Sequence, residues 1–392
     1  MLACLVLAAA GSLAAQTDLD ERLEHPIHSL LMEKESPLLG IRWSGELFGD
    51  LPVGDEPAGA EPTLRRAKLK FQRSLGTAWQ IRLAADYNPG GKLELSDNYV
   101  VYTGWKTALV KLGVADPPFS LESVSAAAGR TFMEPALPVA ALSERKGGGV
   151  KLLKRTPKSI LNASLLLFSP QQDGLSDSGQ ALVLHYVHSP VAIGRQDNLH
   201  LGGSLSYRVN ADEEDTRFRS RPEVATANTF FVDTGEIEGA SEVLRGGLEA
   251  NRVQGRFSWQ TELLASRVER RTGDAVRFWG AYLFASWFLT ADSRNYDFGQ
   301  GEFVPVKVAS PVGSGGWGAL ELAVRASTVD LQDGDIEGGS QSNFSLGLNW
   351  YLDDHIRIMG NVVKVLDVDR PGSEYDGLDP LIFALRAQWL IQ

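Results

Sequence analysis

Three basic side chains at every second position, Arg66, Lys68 and Lys70, interleave with Ala67, Leu69 and Phe71. In an extended chain successive side chains point to opposite faces, so this spacing lines one face with positive charge and the other with apolar groups. A row of cations on a rigid wall replaces part of an anion's hydration shell and repels other cations. The same face assignment in other alternating segments adds Arg82 and Lys111, together with Arg42, Arg208, Arg245, Arg256, Arg325 and Arg386. Acids on that face are fewer: Glu46, Asp86, Glu249, Glu262 and Glu321.

Bond-making chemistry has less support. Of the six histidines, His185 and His188 fall on opposite strand faces, His200 faces Ser204 and Ser206 without an obvious acid, and His355 follows Asp353-Asp354. A nucleophile, base and orienting acid are not assembled by this pattern, so the chain is expected not to be an enzyme. His25 and His28, with Glu24 and Glu33, have a spacing that suits a metal on a short helix, but an isolated His-x-x-His pair reads as a solvated segment. No Gly-rich phosphate loop opens a helix after a strand, and no cofactor is expected.

The elements that must position the basic face are strands. From Ile41 onward apolar and polar residues alternate with a period of two, broken by Gly, Asp, Asn and Pro. Sixteen such segments fall at 41–49, 63–74, 78–87, 94–102, 107–114, 146–155, 159–168, 178–189, 198–210, 241–251, 255–267, 274–290, 316–329, 340–353, 355–366 and 380–391. Short turns alternate with long polar loops such as 211–240 and 291–315, the rhythm of an antiparallel barrel with tight turns at one end and long loops at the other. Sixteen tilted strands enclose an aqueous lumen, whereas eight are filled by side chains. A soluble sandwich or β-helix also alternates. Against it stand the mixed polar face and the aromatics at segment ends (Trp79, Tyr87, Trp105, Trp317, Trp350, Tyr351, Trp389), where interfacial girdles belong. The expected fold is an all-β, 16-stranded antiparallel transmembrane β-barrel.

Composition agrees. In 392 residues, 43% are hydrophobic and 22% charged, with 40 Gly against four Met, too polar for a helical membrane protein and too aromatic for a disordered chain. Beyond the first fifteen residues the longest uncharged apolar stretch, Phe278 to Thr290, is 13 long, too short for a spanning helix. A net charge of −11 argues against a nucleic-acid partner. It does not fix the sign inside a cavity. The only cysteine, Cys4, lies in the apolar stretch 1–15, which ends Ser12-Leu13-Ala14-Ala15 and reads as a signal peptide lacking its basic start; the alternative is a buried N-terminal helix. Removal of that stretch leaves no cysteine, so disulfides and Cys-ligated metals are excluded. Export without cysteine fits the bacterial outer membrane.

The run Lys111-Leu112-Gly113-Val114-Ala115-Asp116-Pro117-Pro118-Phe119-Ser120-Leu121-Glu122, followed by Ser123, Ser125 and Thr131-Phe132-Met133-Glu134, resembles a signature of the phosphate-selective porin O and P family. Phe218 to Glu223 before Asp233-Thr234-Gly235, Gly316 to Glu321 with Arg325, and Leu346 to Leu352 resemble further family elements in the same order. The resemblance implies a trimeric sixteen-stranded porin whose third loop folds inward as a constriction. It divides the chain into a signal peptide (1–15), an N-terminal segment (16–40) and a barrel (41–392) with 115–145 as that loop. It implies small anions such as phosphate as solutes and outer-membrane lipid as surroundings. The anion pathway is then expected at Arg66, Lys68, Lys70, Arg82 and Lys111 on the wall, with Arg130 as the loop cation and Ser123 and Ser125 as neutral donors. Two departures stand out: Arg130 is the only cation in 115–135, and Pro135 follows Glu134 where the family usually has Arg. General anion preference therefore fits better than a lysine-built phosphate site. The alternative is a plugged barrel serving as a structural or adhesive component of the envelope.

Overall fold

The computed structural model describes residues 41–53, 62–87, 93–168, 179–194, 196–210, 216–225 and 229–391. The signal-peptide and 16–40 readings, with His25 and His28, lie outside the described residues.

Sixteen long antiparallel strands form the wall. In chain order they are β1 Ile41–Val53, β2 Thr63–Leu75, β3 Trp79–Tyr87, β4 Asn98–Tyr102, β5 Ala108–Ala115, β6 Gly147–Arg155, β7 Ser159–Phe168 and β8 Gln180–Gly194. The remainder are β9 Asp197–Val209, β10 Ala240–Gln254, β11 Phe257–Arg270, β12 Val276–Phe288, β13 Ala319–Asp333, β14 Ile336–Tyr351, β15 Ile356–Asp369 and β16 Leu381–Ile391. Each pairs with the next, and β1 pairs with β16 from Gly45↔Ile391 to Val53↔Phe383, so the sheet closes on itself. Closure gives every wall strand two partners, as a lipid-embedded sheet requires.

Alternation is as expected but inverted relative to a soluble protein. Along β14, Phe344, Leu346 and Leu348 are exposed while Ser345 and Asn349 are buried. Apolar groups face lipid and polar groups face the lumen. Trp43, Trp79, Trp287, Trp350 and Trp389 are exposed near the strand ends at the short-turn side, an aromatic belt at one interface. Tyr351 is not part of it. Its ring points inward, and its hydroxyl donates to Glu321 at 2.8 Å.

Three local differences from the alternating pattern matter for the lumen. The single segment 94–102 is interrupted: Leu93–Leu95 and β4 both pair with β3, but the chain breaks at Ser96-Asp97, where Asp97 bonds Lys68 at 2.6 Å and Lys146 at 3.2 Å. A β-bulge shifts the β1–β2 register from Phe48↔Arg66 to Gly49↔Leu64, with Arg65 the extra residue on β2. The extra residue turns its side chain inward beside Arg66. Finally, the connection 289–318, read as one of the long loops, leaves β12 at the same end as the tight turns 76–78, 156–158 and 255–256. Strand direction alternates, so the parity of the connections places it there.

That connection and the connection 116–146 both fold inward. The latter carries α1 Leu121–Val124 and α2 Leu137–Leu142, and α2 packs on β11, β12 and β13 through Leu137 and Leu142, among Leu264, Phe278 and Tyr282. Gly280 makes the approach possible, since a Cβ there would lie 2.8 Å from Pro138 Cβ and 2.6 Å from the Thr328 carbonyl.

Leu283, at the middle of β12, is 54% exposed on the outer face. Leu283→Arg is expected to destabilise the barrel by about 2–4 kcal/mol in lipid vesicles. An unchanged urea unfolding midpoint would place this face away from lipid.

Candidate functional site

Between the inward loop 116–146 and the wall from β2 to β6 lies a cavity of about 810 Å³. Its described lining holds twelve Lys or Arg against nine Asp or Glu, although the whole chain carries −11. All eight expected pathway residues line it: Arg66, Lys68 and Lys70 from β2, Arg82 from β3, Lys111 from β5, and Ser123, Ser125 and Arg130 from the loop.

They are not equally available. Arg66 bridges Glu46 at 3.3 Å and Asp86 at 3.2 Å, Lys70 is paired with Glu46, and Lys68 is held by Asp97. Ser125 Oγ donates to the Leu121 carbonyl at 2.7 Å and accepts from the Phe303 N–H at 3.1 Å, so it braces the loop. Arg130 Nε donates to the Glu122 carbonyl at 3.2 Å. Lys111 differs. Its ammonium lies 4.8 Å from the centre of the Tyr99 ring, and it stands directly across the β5–β6 ladder from Lys151. Neither lysine is in an ion pair among the described residues, and both face the cavity. Arg82 donates to the Tyr99 hydroxyl at 3.2 Å from the other side.

On the opposite wall the cations are consumed in holding the loop. Arg208 and Arg245 converge on the buried Glu144, at 2.5 and 2.9 Å. Arg325 reaches Glu223 at 2.9 Å and the Glu134 carbonyl at 3.1 Å. Arg386 grips Asp50 through two bonds of 2.6 Å and Glu134 at 2.5 Å, while Arg65 takes Glu134 with two bonds of 2.8 Å. Burial pushes the Glu134 carboxyl upward, but Arg65 and Arg386 outweigh it and hold the group well below the usual carboxylate range. A lowered acid stabilises the fold fully above its ordinary value, and that contribution fades only as pH falls toward the lowered one. Two backbone positions in the connections are strained. Ser120 and Glu223 hold φ of 70° and 61°, in the region that favours glycine.

Several lining residues were not anticipated. Lys151 was legible, since Val150 and Leu152 flank it on the lipid face. Lys146 sits in the loop, Arg65 requires the bulge, and Glu302 requires the inward path of 289–318. Arg219 and Arg221 both lie over the Phe230 ring, 3.9 and 4.5 Å from its centre, an arrangement made by the fold of the 210–239 connection. The reading of His200 as lacking an acid is corrected: Glu249 of the neighbouring β10 reaches it at 2.8 Å.

A closed, inside-out barrel with a polar, partly loop-filled lumen defines an outer-membrane channel. The phosphate-selective porin O and P family matches residues 40–391. An uncharacterized protein of Caulobacter vibrioides is 32% identical over 85% of this chain and 67% of its own length. Porin O of Pseudomonas aeruginosa is 25% identical over 76% of this chain and 75% of its own. Among solved structures, the anion-selective porin of Comamonas acidovorans superimposes with a TM-score of 0.54 at 12% identity, covering 90% of this chain and 98% of that one. The chain belongs to the phosphate-selective porin O and P family and is an outer-membrane porin.

Removing the Glu144 carboxylate takes from two buried guanidiniums the acid they share. Glu144→Ala is expected to cost about 3–5 kcal/mol and to release the loop, seen as a lower unfolding midpoint and noisier single-channel current. An unaltered midpoint would show that the loop is held elsewhere.

Proposed function

We propose that this porin passes small anions, phosphate among them, by passive diffusion, with 115–145 as the constriction. The observation that carries the reading is the Lys111–Lys151 pair, two ammonium groups side by side on the cavity wall and in no ion pair among the described residues. Like charges this close repel, and a permeating anion relieves that repulsion while trading water for their N–H donors. The paired cations Arg66, Lys68 and Lys70 extend the positive wall, and Arg82 presents its guanidinium beside Tyr99. The anion selectivity in the name of the Comamonas acidovorans porin supports the same preference. The arrangement suits general anion passage, because the segment 115–135 brings one cation, Arg130, to the cavity. The channel reading includes a homotrimer, export by the 1–15 signal peptide and no catalytic step.

A plugged, structural barrel is the second reading. It is favoured by the contact between the two inward connections: Phe303 on the 289–318 connection accepts from the Ala126 N–H at 3.2 Å and donates to Ser125. Planar-bilayer current distinguishes the two. Chloride preference in a KCl gradient, blocked by added phosphate, supports an anion pore with a phosphate site. Cation preference or absent current overturns the proposal. Lys151→Glu is expected to lower chloride-over-potassium permeability several-fold, and Lys68→Glu with Arg82→Glu to act in the same direction.

Glu302 adds a pH dependence. Withdrawal from bulk water, reinforced by Asp297 and opposed by Lys111, Lys151 and Arg82, raises its carboxyl to about 7. A raised acid is charged above that value and neutral below it. Chloride preference is therefore expected to rise as pH falls from about 8 to about 6, and Glu302→Gln is expected to hold it at the low-pH level throughout. An equal pH response in the Gln variant would assign the effect to another group.

A further inference from the structure

Three polar residues on adjacent strands, His185 of β8, His200 of β9 and Glu249 of β10, meet on the lumen side of the wall. All are buried. His185 Nε2 and His200 Nε2 approach the same carboxylate oxygen, Glu249 Oε1, at 2.6 and 2.8 Å. The three atoms lie within 4.8 Å of one another; the two nitrogen–oxygen distances are hydrogen-bond lengths, shorter than the separation of about 3.4 Å between neighbouring ligands of a tetrahedral ion with bonds of about 2.0–2.2 Å, so the side chains must draw apart for the ion to enter between them. Gly202, paired with Glu249 across the ladder, makes the meeting possible, because a Cβ there would collide with the Glu249 carboxylate.

Groups behind the triad hold it. The Tyr296 hydroxyl lies 2.5 Å from His200 Nδ1, and the Leu121 N–H donates to Glu249 Oε2 at 2.7 Å. Metal-ligating imidazoles and carboxylates are oriented by such contacts. Charge supplies an independent argument. The buried acids Glu134, Glu144 and Glu223, carried by the connections, each have an arginine within 3 Å. Glu249 and Glu262 instead share the Leu121 N–H, at 2.7 and 3.2 Å, and no Lys or Arg bonds either among the described residues. Two neighbouring buried carboxylates whose partners are imidazole, hydroxyl and backbone N–H groups carry a desolvation cost. A divalent ion on the triad would supply the charge that arginine supplies to the other acids. Access exists, since His185 lines the cavity.

We propose that His185 Nε2, His200 Nε2 and Glu249 Oε1 form a binding site for a first-row divalent metal, with zinc the best match to two imidazoles and a carboxylate. Zinc accepts this donor set with a fourth position left for water, whereas calcium and magnesium prefer oxygen alone. On binding, each ring moves its proton from Nε2 to Nδ1, so ligation needs no proton loss. His200 Nδ1–H then donates to Tyr296. The ion would brace both inward connections, 116–146 through Leu121 and 289–318 through Tyr296.

The test uses the purified full barrel, stripped with a chelator and dialysed against micromolar zinc chloride, with bound zinc counted by mass spectrometry. One zinc per chain is expected, with cobalt substitution giving the intense visible bands of a four-coordinate site. His185→Ala leaves the Leu121 and Tyr296 contacts in place and is expected to weaken binding at least tenfold, with folding checked by heat-modifiable gel mobility. His25→Ala/His28→Ala is expected to bind as the parent does. No saturable zinc, undiminished binding in His185→Ala, or loss of the site in the His25/His28 variant would each overturn the proposal.

Discussion

A sheet in hydrocarbon cannot leave backbone N–H and C=O groups unpaired, and this chain depends on that constraint before any other. The pairing of β1 with β16 removes the last two edges. Once the sheet closes, the period of two sorts every side chain to lipid or to lumen. The aromatic belt, the polar interior and the space enclosed all follow from that sorting.

What the interior does with its polar groups is a matter of charge matching. On the β9–β16 side the inward cations Arg208, Arg245, Arg325 and Arg386 meet acids carried by the connections 116–146 and 210–239 or, for Asp50, by β1. Buried ions of one sign would otherwise face water-poor surroundings alone. The loop is drawn to that side, and the cavity opens on the other. There the β2–β6 wall carries more positive charge than its acids balance, and Lys111 and Lys151 are the surplus. One set of interactions thus positions the loop and decides which basic residues remain to meet a solute.

The second inward connection changes the character of the lumen. Entering from the tight-turn end, it hydrogen-bonds the loop through Phe303, stacks Arg294 on the Phe303 ring and brings Tyr296 to His200. The interior is narrowed from both ends, with the His185–His200–Glu249 cluster at the wall where the two segments approach.

The barrel itself was legible because its signal is local. Alternation in segments such as Phe344 to Tyr351 states which groups face lipid, and the count of segments states the size. The wall cations Arg66, Lys68, Lys70, Arg82 and Lys111 were legible for the same reason, each standing at an inward position of its own strand. Residues that depend on a neighbouring strand were not. Arg65 turns inward only because β2 bulges at that position, Asp97 only because the chain breaks before β4, and Glu249 reaches His200 only through the β9–β10 register. Nor did sequence show which cations would be spent on ion pairs. The sequence by itself determined the period, the strand number and the sign of the lumen wall, since these are sums over adjacent residues. Tertiary structure alone decided which charges stay free, because pairing depends on register, bulges and loop paths that bring together residues far apart in the chain.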